Sequence, residues 1–203
     1  MFEQLSLPGF EFDPLQKSRK PTPRNSKPTD GFFFALMPNE RSADAFDRLA
    51  WQKHNKFGLS GWPLAKHRFH STLLPLGGYF GQPEGLVEVS CQVAATIERT
   101  GFDLQFDRVG SYARKGDAAP LVASLGGGLA GFMGLQQALR DGFGALGFKP
   151  PLYTPHVTLL YDHRHVEPHA IEPISWTVRE FVLIHSLIGR SQHIVLGRWS
   201  LLD

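Results

Sequence analysis

Two short stretches of this 203-residue chain carry the same chemistry-bearing letters, HSTLL at 70–74 and HVTLL at 156–160. Each offers an imidazole and, two residues on, a threonine hydroxyl. Side chains alternate between faces along an extended strand, so His70 shares a face with Thr72, and His156 with Thr158. Ser71, Leu73, Val157 and Leu159 take the opposite face and are free to pack. Histidine, with an ordinary pKa near ~6.5, can give or take a proton close to neutrality. Two imidazoles facing one cleft suit an in-line displacement at a phosphodiester. One takes a proton from the attacking hydroxyl or water, and the other gives a proton to the leaving oxygen. The hydroxyls of Thr72 and Thr158 would donate to the non-bridging oxygens, where charge accumulates. This chemistry demands no metal and no cofactor. A single His-x-Thr carries little information, whereas two copies on strand-like runs argue for paired half-sites.

The elements that must position these residues can be read from periodicity. GFFFALM (31–37) suits a buried strand. The stretch after it places Phe46, Leu49, Ala50 and Lys53 on one helical face, with a glycine following. RFHSTLLPL (68–76) reads as a strand stopped by Gly77 and Gly78. Residues 84–101 read as a second helix with Leu86, Val89, Val93 and Ile97 as its apolar stripe and Gly101 as its stop. FDLQFDRV (102–109) alternates as a half-buried strand should, and PLVASL (120–125) is another. A third helix turns Phe132, Leu135, Leu139, Phe143 and Leu146 inward. Strands follow at 156–161, 175–187 and 193–202. A helix thus precedes a His-x-Thr-Leu strand twice. The expected fold is α+β: two similar lobes of mostly antiparallel sheet, with outer helices around a central cleft.

Composition narrows the function classes. The hydrophobic share is 42%, the charged share 20% and the net charge only +2, values of an ordinary globular protein. A protein gripping long nucleic acid through many phosphates is usually more basic. The one cysteine, Cys91, excludes an internal disulfide and reads as a small core residue. No stretch is apolar and long enough to span a membrane, and the start lacks the layout of a signal peptide, so a cytoplasmic monomer is expected. Residues 1–29, rich in Pro, Lys and Arg, read as a flexible arm, with the domain over 30–203. Within the arm, QLSLPGF (4–10) is similar to short peptides that dock on bacterial sliding clamps, although the match is short and a stretch that simply packs on the domain or stays mobile explains it better.

The pair HSTL (70–73) and HVTL (156–159) resembles the hallmark of the 2H phosphoesterase superfamily, in particular its 2′-5′ RNA ligase-like, cyclic phosphodiesterase branch. The upstream Trp62-Pro63, the run HSTLLPLGG, Pro155 before the second motif and a later strand bearing Ser186 extend the likeness over roughly 31–203. The resemblance implies a bilobed fold with the two motif strands facing across the cleft. It implies action on 2′,3′-cyclic phosphates or 2′-5′ linkages at RNA ends or on small nucleotides, usually without a metal. His70 and His156 would be the acid–base pair, and Thr72 and Thr158 would hold the phosphate.

Three positions depart from the pattern. Ser71 stands where an apolar residue is usual, Tyr161 where many relatives carry Arg, and His193 where a Tyr is frequent. Tyr161 can stack on a base or hydrogen-bond the ligand. The lost cation equally fits another class of protein, an RNA-end or nucleotide-binding module with little turnover. Other signals point to loops. Arg114 and Lys115 are possible phosphate contacts on a solvated turn. GGGLAG (126–131) fits a dinucleotide fingerprint in letters but lacks the acidic residue about 20 positions on. His163, His165 and His169 with Asp162 and Glu167 read as a solvent loop rather than a metal site, and His67 as a surface residue.

Overall fold

The computed structural model describes residues 27–112 and 118–203. Eight strands form a single sheet: β1 (Asp30–Leu36), β2 (Ser71–Tyr79), β3 (Phe102–Ser111), β4 (Ala119–Gly127), β5 (His156–Asp162), β6 (His169–Val178), β7 (Glu180–Leu187) and β8 (Gln192–Ser200). Three α-helices join them: α1 (Glu40–Phe57), α2 (Leu86–Ala95) and α3 (Leu129–Ala145). The strand order is β6-β3-β4-β5-β2-β1-β7-β8, and every neighbouring pair is antiparallel.

The sheet divides at its middle. β2 and β5 share one backbone pair, Ser71 with Val157, whereas the other neighbours pair over six residues or more. Each four-stranded half is therefore a lobe, and the lobes meet at the two motif strands. The helices hold the lobes together by crossing between them. Helix α1, which links β1 to β2, packs over β5 and β6, and its Ser42 hydroxyl donates to the Ser175 carbonyl on β6 at 2.9 Å. Helix α3, which links β4 to β5, packs on β2 and β3.

Local sequence sets the helix limits. Asn39 caps α1 by accepting from the Ser42 amide at 2.9 Å, and Gly58 ends it in the left-handed region at φ 57°. The buried face of α1 comprises Ser42, Phe46, Leu49, Ala50 and Lys53. Phe132, Leu135, Leu139 and Phe143 are the buried face of α3, while Leu146 is exposed. One apolar core lies between the helices and the sheet, built around Phe34, Phe46, Phe106, Phe132, Phe143 and Phe181. A smaller apolar patch on the other face, Ala35, Val182 and Ile184 with Phe33 and Met37, floors the cleft side.

Several expected boundaries shift. The two lobes form one continuous sheet rather than separate sheets. β2 runs through Gly77 and Gly78 to Tyr79, because both glycines still pair with β1. α2 stops at Ala95, with Thr96 as its cap, well before Gly101. The run 175–187 is two strands: β6 pairs with β3 and β7 with β1, so the chain changes lobes at Arg179. The histidine stretch 162–169 is not all loop, since Asp162 ends β5 and His169 begins β6. Cys91 is half-buried against the core. Thr29, just before β1, is tied to the sheet: its amide donates to the Tyr79 carbonyl and its own carbonyl accepts from the Ile188 amide. The peptide 4–10 and the pair Arg114–Lys115 lie outside the described residues.

Candidate active site

The single pair Ser71–Val157 lies at the centre of the site. In antiparallel strands the neighbours of a pair face each other, so His70 stands opposite Thr158 and Thr72 opposite His156. Opposed residues lie ~5 Å apart at Cα and diagonal ones ~7–8 Å. The four polar side chains thus form a small rectangle, with the histidines on one diagonal and the threonines on the other. Ser71, Leu73, Val157 and Leu159 lie on the opposite face, each fully buried. His70 is the residue just before β2 and His156 the first residue of β5.

Each imidazole is oriented by its own chain. His70 Nδ1 lies 2.7 Å from the Arg68 carbonyl, and His156 Nδ1 lies 2.8 Å from the Thr154 carbonyl. A carbonyl can only accept, so Nδ1 carries the proton in both rings. In the neutral ring Nε2 is left with a lone pair. His169 makes the same bond to Glu167 at 2.9 Å where it opens β6. The bond is therefore a local property of a histidine at a strand entry, and what distinguishes His70 and His156 is their surroundings. Burial lowers the pKa of His70 to about 4, with the neighbouring His156 and Arg68 adding to the shift. Burial likewise lowers His156 below its ordinary value. The influence of His156 on His70 is in keeping with their place on one diagonal.

The doubled leucines have a structural cause. The register of β1 against β2 skips Leu73, and that of β4 against β5 skips Leu159. A bulge at the first leucine of each motif turns the strand by one position. Leu73 and Leu74, and likewise Leu159 and Leu160, therefore all reach the core. Strict alternation would have put Leu74 and Leu160 on the histidine face. It would also have put Tyr161 on the far face, whereas the bulge brings it to the cleft side, 45% exposed. A bulge leaves a carbonyl off the ladder, and each is satisfied differently. The Leu73 carbonyl accepts from Gln136 Nε2 of α3 at 2.8 Å, and the Leu159 carbonyl from the Leu64 amide at 2.8 Å. Gln136 is fully buried and also donates to the Tyr153 carbonyl at 3.0 Å.

The side chains around the two histidines differ. Phe33 stacks on His70, with ring centroids 5.0 Å apart, and His193 stands edge-on to it at 5.2 Å. Tyr112 and Tyr153 pack on His156 at 4.9 and 5.1 Å. Thr72 lies near the Tyr153 phenol across the lobe boundary, and burial raises the Tyr153 phenol pKa. Asp162 closes the end of β5. Burial would raise its pKa, but amides of Arg164, Gly61 and Ser60 and the Ser60 hydroxyl donate to it and bring it down to about 2. That carboxylate fixes the loop before β2 rather than taking part in the cleft. His163 and His165 are exposed, and among the described residues no three His, Cys, Asp or Glu side chains converge as metal ligands would.

A family model described as the 2′-5′ RNA ligase superfamily matches residues 38–189. The chain belongs to that superfamily. Its fold is that of the 2H phosphoesterases. Escherichia coli LigT in its apo form is 26% identical, with a TM-score of 0.69 over 88% of this chain and 100% of LigT. LigT complexed with 3′-AMP is 27% identical over the same shares, with a TM-score of 0.66. TT0787 of Thermus thermophilus shares the fold at 22% identity and a TM-score of 0.67, over 84% of this chain and 97% of that one. Among curated proteins none matches. No helix among the described residues is long and apolar enough to cross a membrane.

The structure brings together all four motif residues and turns Tyr161 to the same face. Sequence reasoning missed Phe33, Tyr112, Tyr153, Arg68 and Gln136 as parts of the site, and it met His193 only as a departure. Arg68, two residues before His70, and Tyr153, three before His156, were the nearest signals. Phe33, Tyr112 and Gln136 reach the cleft from distant elements, and nothing in their local sequence marks them.

Proposed function

We propose that this superfamily member opens 2′,3′-cyclic phosphates at RNA ends or on nucleotides, giving a 2′-phosphate, and that the same site makes and breaks 2′-5′ linkages without a metal. The observation that carries the reading is the rectangle of His70, Thr158, His156 and Thr72, with both Nδ1 atoms committed to carbonyls. In hydrolysis, one Nε2 takes a proton from water as the water oxygen bonds to phosphorus. The bond from phosphorus to O3′ breaks, and the other imidazole, protonated, gives its proton to O3′. Ligation uses the hydroxyl of a second RNA end in place of water. It needs no nucleotide triphosphate, because the strained cyclic diester holds the energy. Thr72 and Thr158 donate hydrogen bonds to the non-bridging oxygens as charge builds on them. Bound phosphate raises the pKa of whichever histidine must be protonated, offsetting the lowering caused by burial. Tyr161 offers an exposed ring for a base, in keeping with the nucleotide held by LigT.

The test is turnover of a nucleoside 2′,3′-cyclic phosphate in EDTA with the product identified. Formation of the 2′-phosphate at an undiminished rate is expected. A 3′-phosphate product or loss of activity in EDTA would contradict the proposal, and tight binding without turnover would make the chain a binding module.

A further inference from the structure

Arg68 and His193 stand beside His70 with no acid to balance them. Arg68 ends the three-residue 3-10 turn Lys66–Arg68 that leads into the first motif. Its carbonyl orients His70, but its guanidinium Nε is buried with no hydrogen-bond partner. His193 comes from the far end of the lobe, where β8 pairs it with Ser186 of β7. Its ring meets His70 at 5.2 Å and Phe33 at 5.7 Å, both edge-on. Its Nδ1 is likewise buried and without a partner.

The charged and titratable groups that act on His193 are His70, Arg68 and His67, and those that act on His70 are His156 and Arg68. No carboxylate is among them. The nearby Lys66 is already paired with Asp44 at 2.6 Å, so the local acid is taken. Among the described residues Arg68 forms no ion pair. Arg68 stays charged there with no carboxylate beside it, and its buried Nε lacks a hydrogen-bond partner, which costs free energy. An anion relieves both. The reacting phosphate does not by itself account for this cluster, because the rectangle already meets its oxygens with Thr72 and Thr158. The surroundings of His156 are phenolic instead, so the anion-seeking character belongs to one end of the cleft.

We infer that Arg68 and His193 form an anion subsite at the His70 end of the cleft, which takes a second phosphate of the substrate, next to the reacting diester. The guanidinium supplies a planar fork suited to phosphate oxygens, and the imidazole supplies one more donor. The substrate class is then an RNA end or a nucleotide carrying a further phosphoryl group, rather than a bare nucleoside 2′,3′-cyclic phosphate. This inference rests on the proposed function, and its test separates the two.

The experiment compares kcat/KM for a nucleoside 2′,3′-cyclic phosphate with and without a 5′-phosphate, in wild type, Arg68→Gln, Arg68→Lys and His193→Gln. Wild type is expected to favour the 5′-phosphorylated substrate by about tenfold or more, the worth of one charge-assisted hydrogen bond. Arg68→Gln brings the ratio close to one, His193→Gln lowers it, and Arg68→Lys restores part of it. A general loss from disturbed packing cancels in the ratio. No preference in wild type, or a ratio unchanged in Arg68→Gln, overturns the subsite. An equal loss on both substrates in Arg68→Gln leaves the preference intact and overturns the subsite too. Equilibrium binding of a nucleoside 2′,5′-bisphosphate against a nucleoside 2′-phosphate reads the same subsite without turnover. A preference there that Arg68→Gln removes sustains the subsite even if the proposed reaction fails.

Discussion

Around His70 stand Phe33, His193 and Arg68, while around His156 stand Tyr112 and Tyr153, with Tyr161 close by. The backbone beneath them is nearly the same. Both histidines bond a carbonyl two residues back, both threonines follow on the same face, and both strands bulge at the first leucine. Even the bulge carbonyls are both satisfied, one by the Gln136 side chain and one by the Leu64 amide. The comparison separates two requirements. On the proposed function, proton transfer at a phosphodiester needs a base and an acid in fixed orientation, and the duplicated frame supplies both. A substrate has unlike ends, so the side chains surrounding the frame differ.

The strongest test of the likeness removes each imidazole. His70→Ala and His156→Ala are each expected to lower kcat/KM by about 10²–10⁴, the usual range for general acid–base catalysis. A tenfold gap or less between them, in steady-state assays on one cyclic phosphate, supports equal partnership. Thr72→Val and Thr158→Val should lose roughly ten- to a hundredfold, mainly in kcat, if the hydroxyls act on developing charge. Thr72→Val should cost more of the two, because it also removes a polar neighbour of the Tyr153 phenol. Gln136→Met leaves the Leu73 carbonyl buried and unpaired, which costs about 1–3 kcal/mol in a denaturant titration. It should also lower turnover, since the bulge it supports sets the face of the first motif.

The pH dependence follows from the two lowered pKa values. For a histidine, burial disfavours the charged form, so the proton leaves at lower pH than usual. One imidazole must be neutral and the other protonated, so kcat/KM should peak between about 4, the value for His70, and the ordinary 6.5 from which His156 is lowered. It falls as pH rises, because the general acid is lost. The alkaline limb of kcat should lie higher, because bound phosphate favours the protonated ring. A smaller effect distinguishes the phenolic end: Tyr161→Ala should raise KM a few-fold for base-bearing substrates and leave kcat nearly unchanged, as expected for stacking on an exposed ring.

Much of the site could be read from the sequence for a plain reason. Period-two alternation states which residues share a face, and HSTLL and HVTLL state it twice. The helix faces were legible too, because Phe46, Leu49, Ala50 and Lys53 repeat at helical spacing. Alternation alone could not reveal the bulges, although the leucine doublets were their signature once the core demanded both leucines. Nor could it reveal that 175–187 divides at Arg179, since both β6 and β7 carry strand-like sequence and only their partners differ. Phe33, Tyr112 and His193 were hidden because sheet order, not chain order, brings them to the histidines. Gln136 was hidden because a buried glutamine on an apolar helix face has no local mark of what it bonds.

The central claim is that the two half-sites act as one unit. The most direct measurement is a double-mutant cycle on His70→Ala and His156→Ala, read as kcat/KM on a single 2′,3′-cyclic phosphate. If the two imidazoles share one displacement, the double variant is no slower than the slower single variant, because either loss already stops the concerted proton transfers. Losses that simply add, or full activity in either single variant, would contradict the account.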